Sequence, residues 1–388
     1  PFHAEDGIRD GIVRLVGSEM CIRDRIEGLG RRLLLFLRAA NEIYLRSAKG
    51  SLPEWVARYL DAGKPESVIE LGRTAAFREG LPRVIRPDLL LGEDGSLSIT
   101  EIDNLPGGIG LTAWLNQTYA ALGFDVLGGE RGMIDGFQNL FEGPADIVVS
   151  EESSDYRPEM EWMAEEIGEG WEVMDAEGYS VRGRNVYRFF ELFDLDAIEN
   201  SDALFGAAAG GEIDVTSPPK AFLEEKLWSA LFSMPALRET WQAAFRGSHL
   251  QKLREVFPYS WVVDPAPIPH FAVLPKLEVS SWEDVAKFSQ KERELVLKIS
   301  GFSEQAWGSR GVHIGHDMPQ DEWESAIRKA MDQIGSNPWV VQKFQPTGIV
   351  RHPVWNEEKG VTEEVEGRVR LCPYYFIDAM ARKPDARL

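Results

Sequence analysis

The sequence predicts a mixed chain of α/β and α+β parts, and three stretches predict it. Two apolar runs, VIRPDLLL and LSITEID, flank Glu93-Asp94-Gly95-Ser96 and read as an antiparallel hairpin. Residues 145–175 run from an apolar strand pattern (ADIVVS) through a helical one (PEMEWMAEEIG) to a second strand pattern (WEVMD). That order implies a parallel strand–helix–strand unit. After the proline-rich stretch 258–269, a second α+β region continues to the last residues.

In chain order, residues 1–25 resemble translated sequencing-adapter read-through and lack the charged-then-apolar order of a signal peptide. They are set aside, Cys21 with them, and the natural ends are expected to lie beyond both ends of this chain. Residues 26–63 carry apolar residues at helical spacing, and SVIE at 67–70 suits a strand or a short helix. If Asp94 and Gly95 form a two-residue turn, Asp88 lies opposite Glu101 and Arg86 opposite Asp103. All four side chains then share one face, together with Leu90, Leu97 and Ile99.

Opposed carboxylates destabilise a bare sheet, and a bound cation removes that objection; Mg²⁺ takes carboxylate oxygens together with phosphates. The plainer alternative is a hairpin whose acids point into water, which the three apolar neighbours argue against. Arg86 is the candidate phosphate clamp. Gly107, Gly108 and Gly110 follow, and then a helix near 111–122.

Residues 186–195 (VYRFFELFDL) form another short element, and 220–256 read as helices. Residues 294–315 read ELVLKISGFSEQAWGSRGVHIG. Lys298 sits on a strand, Ser300, Gly301, Gly308, Ser309 and Gly311 make a flexible loop, and a second strand follows at 312–314. Such a loop can lay backbone N–H groups over phosphates, although a glycine-rich hairpin is more often only a hairpin. A helix spans 320–334, and a strand from Pro338 emerges at Gln342 and Lys343. A last strand over 367–376 places Arg368 and Arg370 on one face. Both could be surface arginines; together with Lys298 they would supply the positive charge that a triphosphate requires.

Several classes are disfavoured. A net charge of −21, from 63 acids against 42 bases, argues against a nucleic-acid or anionic-membrane partner. No apolar run approaches membrane-spanning length. Two cysteines suit a reducing cytoplasm. No G-x-G-x-x-G, Walker loop or G-x-S-x-G appears. His313 and His316, three apart on a strand, point to opposite faces and are assigned structural or solvent roles.

Taken together, the pieces resemble the ATP-grasp ligases, in the circularly permuted branch that includes glutathionylspermidine synthase-like proteins. The R-x-D strand (Arg86-Pro-Asp88) and E-x-D (Glu101-Ile-Asp103) precede the lysine and glycine loop by about 200 residues, the reverse of the ordinary order. VYRFFELF resembles the family's Tyr-Arg segment at Tyr187 and Arg188, and SPPKAFLEEKLWSALF the segment leading into its nucleotide domain.

The resemblance implies a circularly permuted ATP-grasp fold. Residues 26–144 hold the metal hairpin, 145–219 a pre-ATP-grasp-like α/β unit, and 220–388 the helical connector and ATP-binding region. It implies Asp88, Glu101 and Asp103 as Mg²⁺ ligands, with Asn104 as an alternative to Asp103. Lys298 and its loop cover ATP, and Gln342 and Lys343 form the adenine-contacting hinge. Lys226 and Lys276 are candidates for a second ATP lysine.

The implied activity joins a carboxylate, small molecule or peptide, to an amine through an acyl phosphate. The unit at 145–175, with Glu151 to Asp155 at its strand end, is assigned to the acceptor. A non-catalytic nucleotide-binding module and a phosphotransferase are the alternatives.

Overall fold

β1 (Val84–Leu91) and β2 (Leu97–Asp103) form the expected antiparallel hairpin. They belong to a computed structural model that describes residues 22–168, 170–269, 272–303, 306, 311–378 and 386–387. Asp88 pairs with Glu101, and Arg86 with Asp103, as expected. The turn that leads there is different. Leu91 pairs with Leu97, so residues 92–96 close the hairpin. Gly92 N–H donates to the Ser96 carbonyl, Ser96 N–H donates to Asp94 Oδ1, and Gly95 takes φ +75°. A β-bulge at Thr100 then shifts the pairing by one residue and restores the expected register at the acids.

The bulge has a second consequence. One extra residue reverses side-chain parity along β2, so Leu97 and Ile99 turn to the core with Leu89. They do not share the face of the acids, and Leu90 alone of the expected apolar neighbours does.

β1 is paired on its other edge by β13 (Arg370–Leu371) and β14 (Tyr375–Ile377), antiparallel to it. The single strand expected over 367–376 is therefore broken. The register on both sides of the gap sets Pro87 opposite Pro373. Neither proline has an N–H to donate, and the ladder fails there. Because β13 and β14 complete the hairpin's sheet, the segment 26–144 is not closed by itself.

The helix Leu29–Ala48 covers this sheet. Leu33, Phe36, Leu37, Ala40, Ile43 and Tyr44 are buried at three- and four-residue spacing. Phe36 stacks on Trp241 at 5.4 Å, within an aromatic cluster that includes Phe232 and Phe257. SVIE lies within the helix Glu66–Arg73.

The 145–175 unit forms as expected. β3 (Ala145–Val149) is wholly buried between parallel neighbours β4 (Trp171–Asp175) and β5 (Asn185–Phe189), with β6 (Val215–Thr216) beyond β5. The helix Arg157–Ile167 connects β3 to β4. A third, antiparallel sheet has the order β7 (Ser260–Val262), β10 (Trp339–Lys343), β8 (Leu295–Ile299), β9 (Val312–Ile314). Helix Gln320–Asp332 packs on it through Trp323 and Ile327.

A ribbon of β11 (Val350–Asn356) and β12 (Val361–Gly367) was not legible as strands, because its valines alternate with glutamates on surfaces left largely exposed. No helix among the described residues is long and apolar enough to cross a membrane. The chain is a mixed α and β protein with several sheets.

The contact that seats the long helix on the hairpin's sheet is testable. A Cβ on Gly30 would fall on the Tyr375 ring. Gly30→Ala gains about 1 kcal/mol of helix propensity, yet overpacking at such a site costs about 1–3 kcal/mol. We expect a net loss of stability in urea denaturation. An increase would mean that the helix does not bear on Tyr375.

Candidate functional site

The acid face of the hairpin opens into a cleft of about 310 Å³, bordered by all three structural parts. Arg86 lies at its centre. Its Nη2 is 3.0 Å from Asp103, its Nε 3.2 Å from Asp88, and its Nη1 donates to the Gly107 carbonyl at 3.0 Å. Burial opposes the Arg86 charge, but Asp103 and Asp88 more than offset it and hold the guanidinium above its ordinary range. The Asp103 carboxyl is raised to about 6, chiefly by desolvation, with Arg86 and the Leu105 N–H pulling it back.

The other two acids are also paired. Lys226 Nζ lies 2.8 Å from Glu101, and Arg370 Nη1 lies 3.1 Å from Asp88. Cys372 follows Arg370 and places its Sγ 3.5 Å from Asp88 Oδ1.

Lys298, on the antiparallel sheet, does not line this cleft; it lines an apolar slot that shares Glu101, Ile102 and Lys226 with the cleft. It is buried, and its Nζ donates to the Thr100 carbonyl and to Gln342 Oε1, each at 2.9 Å. Thr100 is the residue of the bulge, so its ladder partner is missing and its carbonyl is open to the lysine. Burial pulls the Lys298 ammonium down to about 8, with Lys226 adding to the effect and Glu101 opposing it. The slot continues past Lys298 between Phe36, Ile99, Trp228 and Phe257.

Several expected residues stand elsewhere or are otherwise engaged. Ser300 and Gly301 pack against the 224–225 segment. Ser300 N–H donates to the Pro338 carbonyl, Gly301 N–H donates to Glu225, and the Ser300 hydroxyl is hydrogen-bonded to Glu225. A Cβ on Gly301 would meet the Glu224 backbone, which accounts for that glycine without a phosphate. The Gly311 carbonyl accepts from Ile299 N–H. Gly308 and Ser309 lie outside the described residues.

Gln342 is buried beside Lys298, whereas Lys343 is exposed, one residue further along β10 and so on its other face. Arg370 joins Asp88, and Arg368 is exposed away from any charged partner given by an ion pair among the described residues. Of the two further lysines, Lys226 is in the cleft; Lys276 lies over the Tyr259 ring beside a separate cavity. His313 stacks on Trp339 and His316 meets Phe344, both outside the cleft's lining.

The α/β unit and the connector supply residues that sequence reasoning missed. Tyr156 and Glu191 border the cleft from the carboxyl ends of β3 and β5, where parallel sheets bind ligands. Arg188, which the sequence already singles out with Tyr187, is fully buried, pairs with Glu224 and donates to the carbonyls of Ser217 and Phe190. Glu225, also buried, pairs with Lys64. The signal in the sequence was the charged triplet Glu224-Glu225-Lys226 ahead of an apolar helix, which reads as an ordinary helix start.

The donor set on the hairpin is all oxygen, which suits a hard cation such as Mg²⁺. Among the described residues, no group of three His, Cys, Asp or Glu side chains is drawn together as a closed metal site. Asp103 shares the face of Asp88 and Glu101, whereas Asn104 turns away and donates from Nδ2 to the Leu223 carbonyl at 2.9 Å. No protein-family model matches the chain, and no curated protein matches it.

The depressed Lys298 ammonium gives a pH test. Between about 8 and its ordinary 10.5, the folded chain holds fewer protons at this group than the unfolded chain. Stability from this group therefore rises with pH across that window, and the penalty is fully present below it. We expect the difference in unfolding free energy between the parent and Lys298→Met to shift in the parent's favour from pH 8 to 10, by up to about 3 kcal/mol. A pH-independent difference would mean that burial does not depress the ammonium.

Proposed function

We propose that the chain is an ATP- and Mg²⁺-dependent ligase that joins a carboxylate to an amine, on a circularly permuted ATP-grasp framework. One observation carries the reading. Three carboxylates and three cations, Asp103 with Arg86, Glu101 with Lys226 and Asp88 with Arg370, share one cleft as ion pairs. A metal-bound polyphosphate carries both kinds of charge. It can take the carboxylates through its cation and the arginines and lysine through its phosphates, so that no buried charge is left alone. The order of the chain, hairpin acids first and Lys298 some 200 residues later, agrees with permutation.

Asp88, Glu101 and Asp103 would hold Mg²⁺, which when bound supplies charge neutralisation at the phosphates. Arg86, fixed between two carboxylates, orients the transferring phosphoryl group and stabilises its charge. Lys226 binds phosphate oxygens in the cleft, and Lys298, held on the Thr100 carbonyl and Gln342, adds its charge from the neighbouring slot. The apolar slot beside Lys298 holds only about 30 Å³ and would have to widen to take a flat, weakly polar ring. The substrate carboxylate becomes an acyl phosphate, and the amine displaces inorganic phosphate to give the amide. Exclusion of water keeps the acyl phosphate from hydrolysis.

The test is a screen of carboxylates with Mg²⁺, ATP and hydroxylamine, read by ADP release and by the hydroxamate that hydroxylamine forms from an acyl phosphate. We expect ADP and hydroxamate only when a suitable acid is present, and a loss of about 10²-fold or more in Glu101→Gln. A phosphorylated product without hydroxamate would favour the phosphotransferase. ATP binding with no ADP from any acid would favour the nucleotide-binding module.

A further inference from the structure

The cleft has a second wall that the nucleotide does not use. On it stands Glu191, just past β5 at the carboxyl end of the parallel sheet. Its side chain belongs to a residue only 9% exposed, and no hydrogen bond or ion pair among the described residues reaches its carboxyl. Its neighbour differs in this respect, since Glu224 is held by Arg188. Asn104, just past β2, lines the same cleft, 3% exposed, with its Oδ1 unpartnered while its Nδ2 is bonded. One buried acceptor, Asn104 Oδ1, thus lacks a donor, and the Glu191 carboxyl stands without an ion pair in the same cleft. A buried acceptor without a donor is costly, so a ligand group rich in N–H and positively charged fits this pair best.

We propose that Glu191, with Asn104 and the Glu224 carboxylate behind it, forms the binding subsite for the primary ammonium group of the acceptor amine. This rests on the ligase reading only for its use, not for its chemistry. Burial, with the Glu224 charge adding to it and Arg188 opposing, raises the Glu191 carboxyl well above the ordinary carboxylate range. An ammonium bound there gains a charge-assisted hydrogen bond in a low-dielectric wall. Tyr156 borders the same part of the cleft and offers its ring to an alkyl stem. The subsite faces the hairpin acids across the cleft, so the amine arrives opposite the phosphoryl-transfer side.

The experiment uses n-butylamine hydrochloride as the probe, with n-butanol and n-butyrate as controls, measured by saturation-transfer NMR on the whole chain at pH 8. We expect saturable binding of n-butylammonium and none of either control. Glu191→Gln, confirmed as folded by its melting curve, should bind the probe at least tenfold more weakly and keep the parent's Mg·ATP affinity. Equal binding of the amine by parent and variant would overturn the proposal. So would failure of the parent to distinguish n-butylammonium from n-butanol, a result that needs no variant. If Mg·ATP binds neither protein while the amine selectivity and its loss in Glu191→Gln hold, the ligase reading fails and the ammonium subsite stands.

Discussion

The hydrogen bond from Lys298 to the Thr100 carbonyl is the constraint on which the cleft depends. It joins residues 198 positions apart and ties the antiparallel sheet to the hairpin at the one place where the hairpin's ladder is interrupted. The bulge provides the open carbonyl, and the buried ammonium needs acceptors, so each feature answers a deficit in the other. Gln342 completes the shell from the neighbouring strand. Next to Thr100 on the hairpin, Glu101 pairs with Lys226 of the connector.

Charge organises the rest. Arg86 between Asp88 and Asp103 repeats, in the plane of the sheet, the alternation of sign that opposed carboxylates alone would violate. Beyond the hairpin, the Arg188–Glu224 and Lys64–Glu225 pairs fix the connector beneath the cleft. Glu191 has no direct ion pair among the described residues and feels Arg188 only through space, which sets the α/β wall apart from the hairpin wall.

Much of this was legible in the sequence, though not always for the right reason. Residue spacing placed Asp88 opposite Glu101 from a two-residue turn, and the turn proved longer. The bulge at Thr100 cancelled the error at the acids and reversed it at Leu97 and Ile99. Strand–helix–strand patterning over 145–175 was legible because a wholly buried strand between parallel neighbours is apolar without interruption. By contrast, the break at Pro87 and Pro373 depends on two prolines 286 residues apart in the chain meeting across a ladder, which no local pattern encodes. Ser300 and Gly301 looked like phosphate-binding backbone, yet their N–H groups serve Pro338 and Glu225. A glycine's reason for being glycine, here the approach of the Glu224 backbone, is a tertiary fact. Glu191 escaped notice because nothing in FFELF distinguishes a lone acid that faces a cleft from one that faces water.

The most direct measurement is isothermal titration of ATP, with and without Mg²⁺, into the parent and into Asp88→Asn. The account requires micromolar binding by the parent that depends on Mg²⁺, and at least a tenfold loss in an Asp88→Asn chain that is still cooperatively folded at the temperature of the titration. Binding that is indifferent to Mg²⁺, or equal in the two proteins, would contradict it.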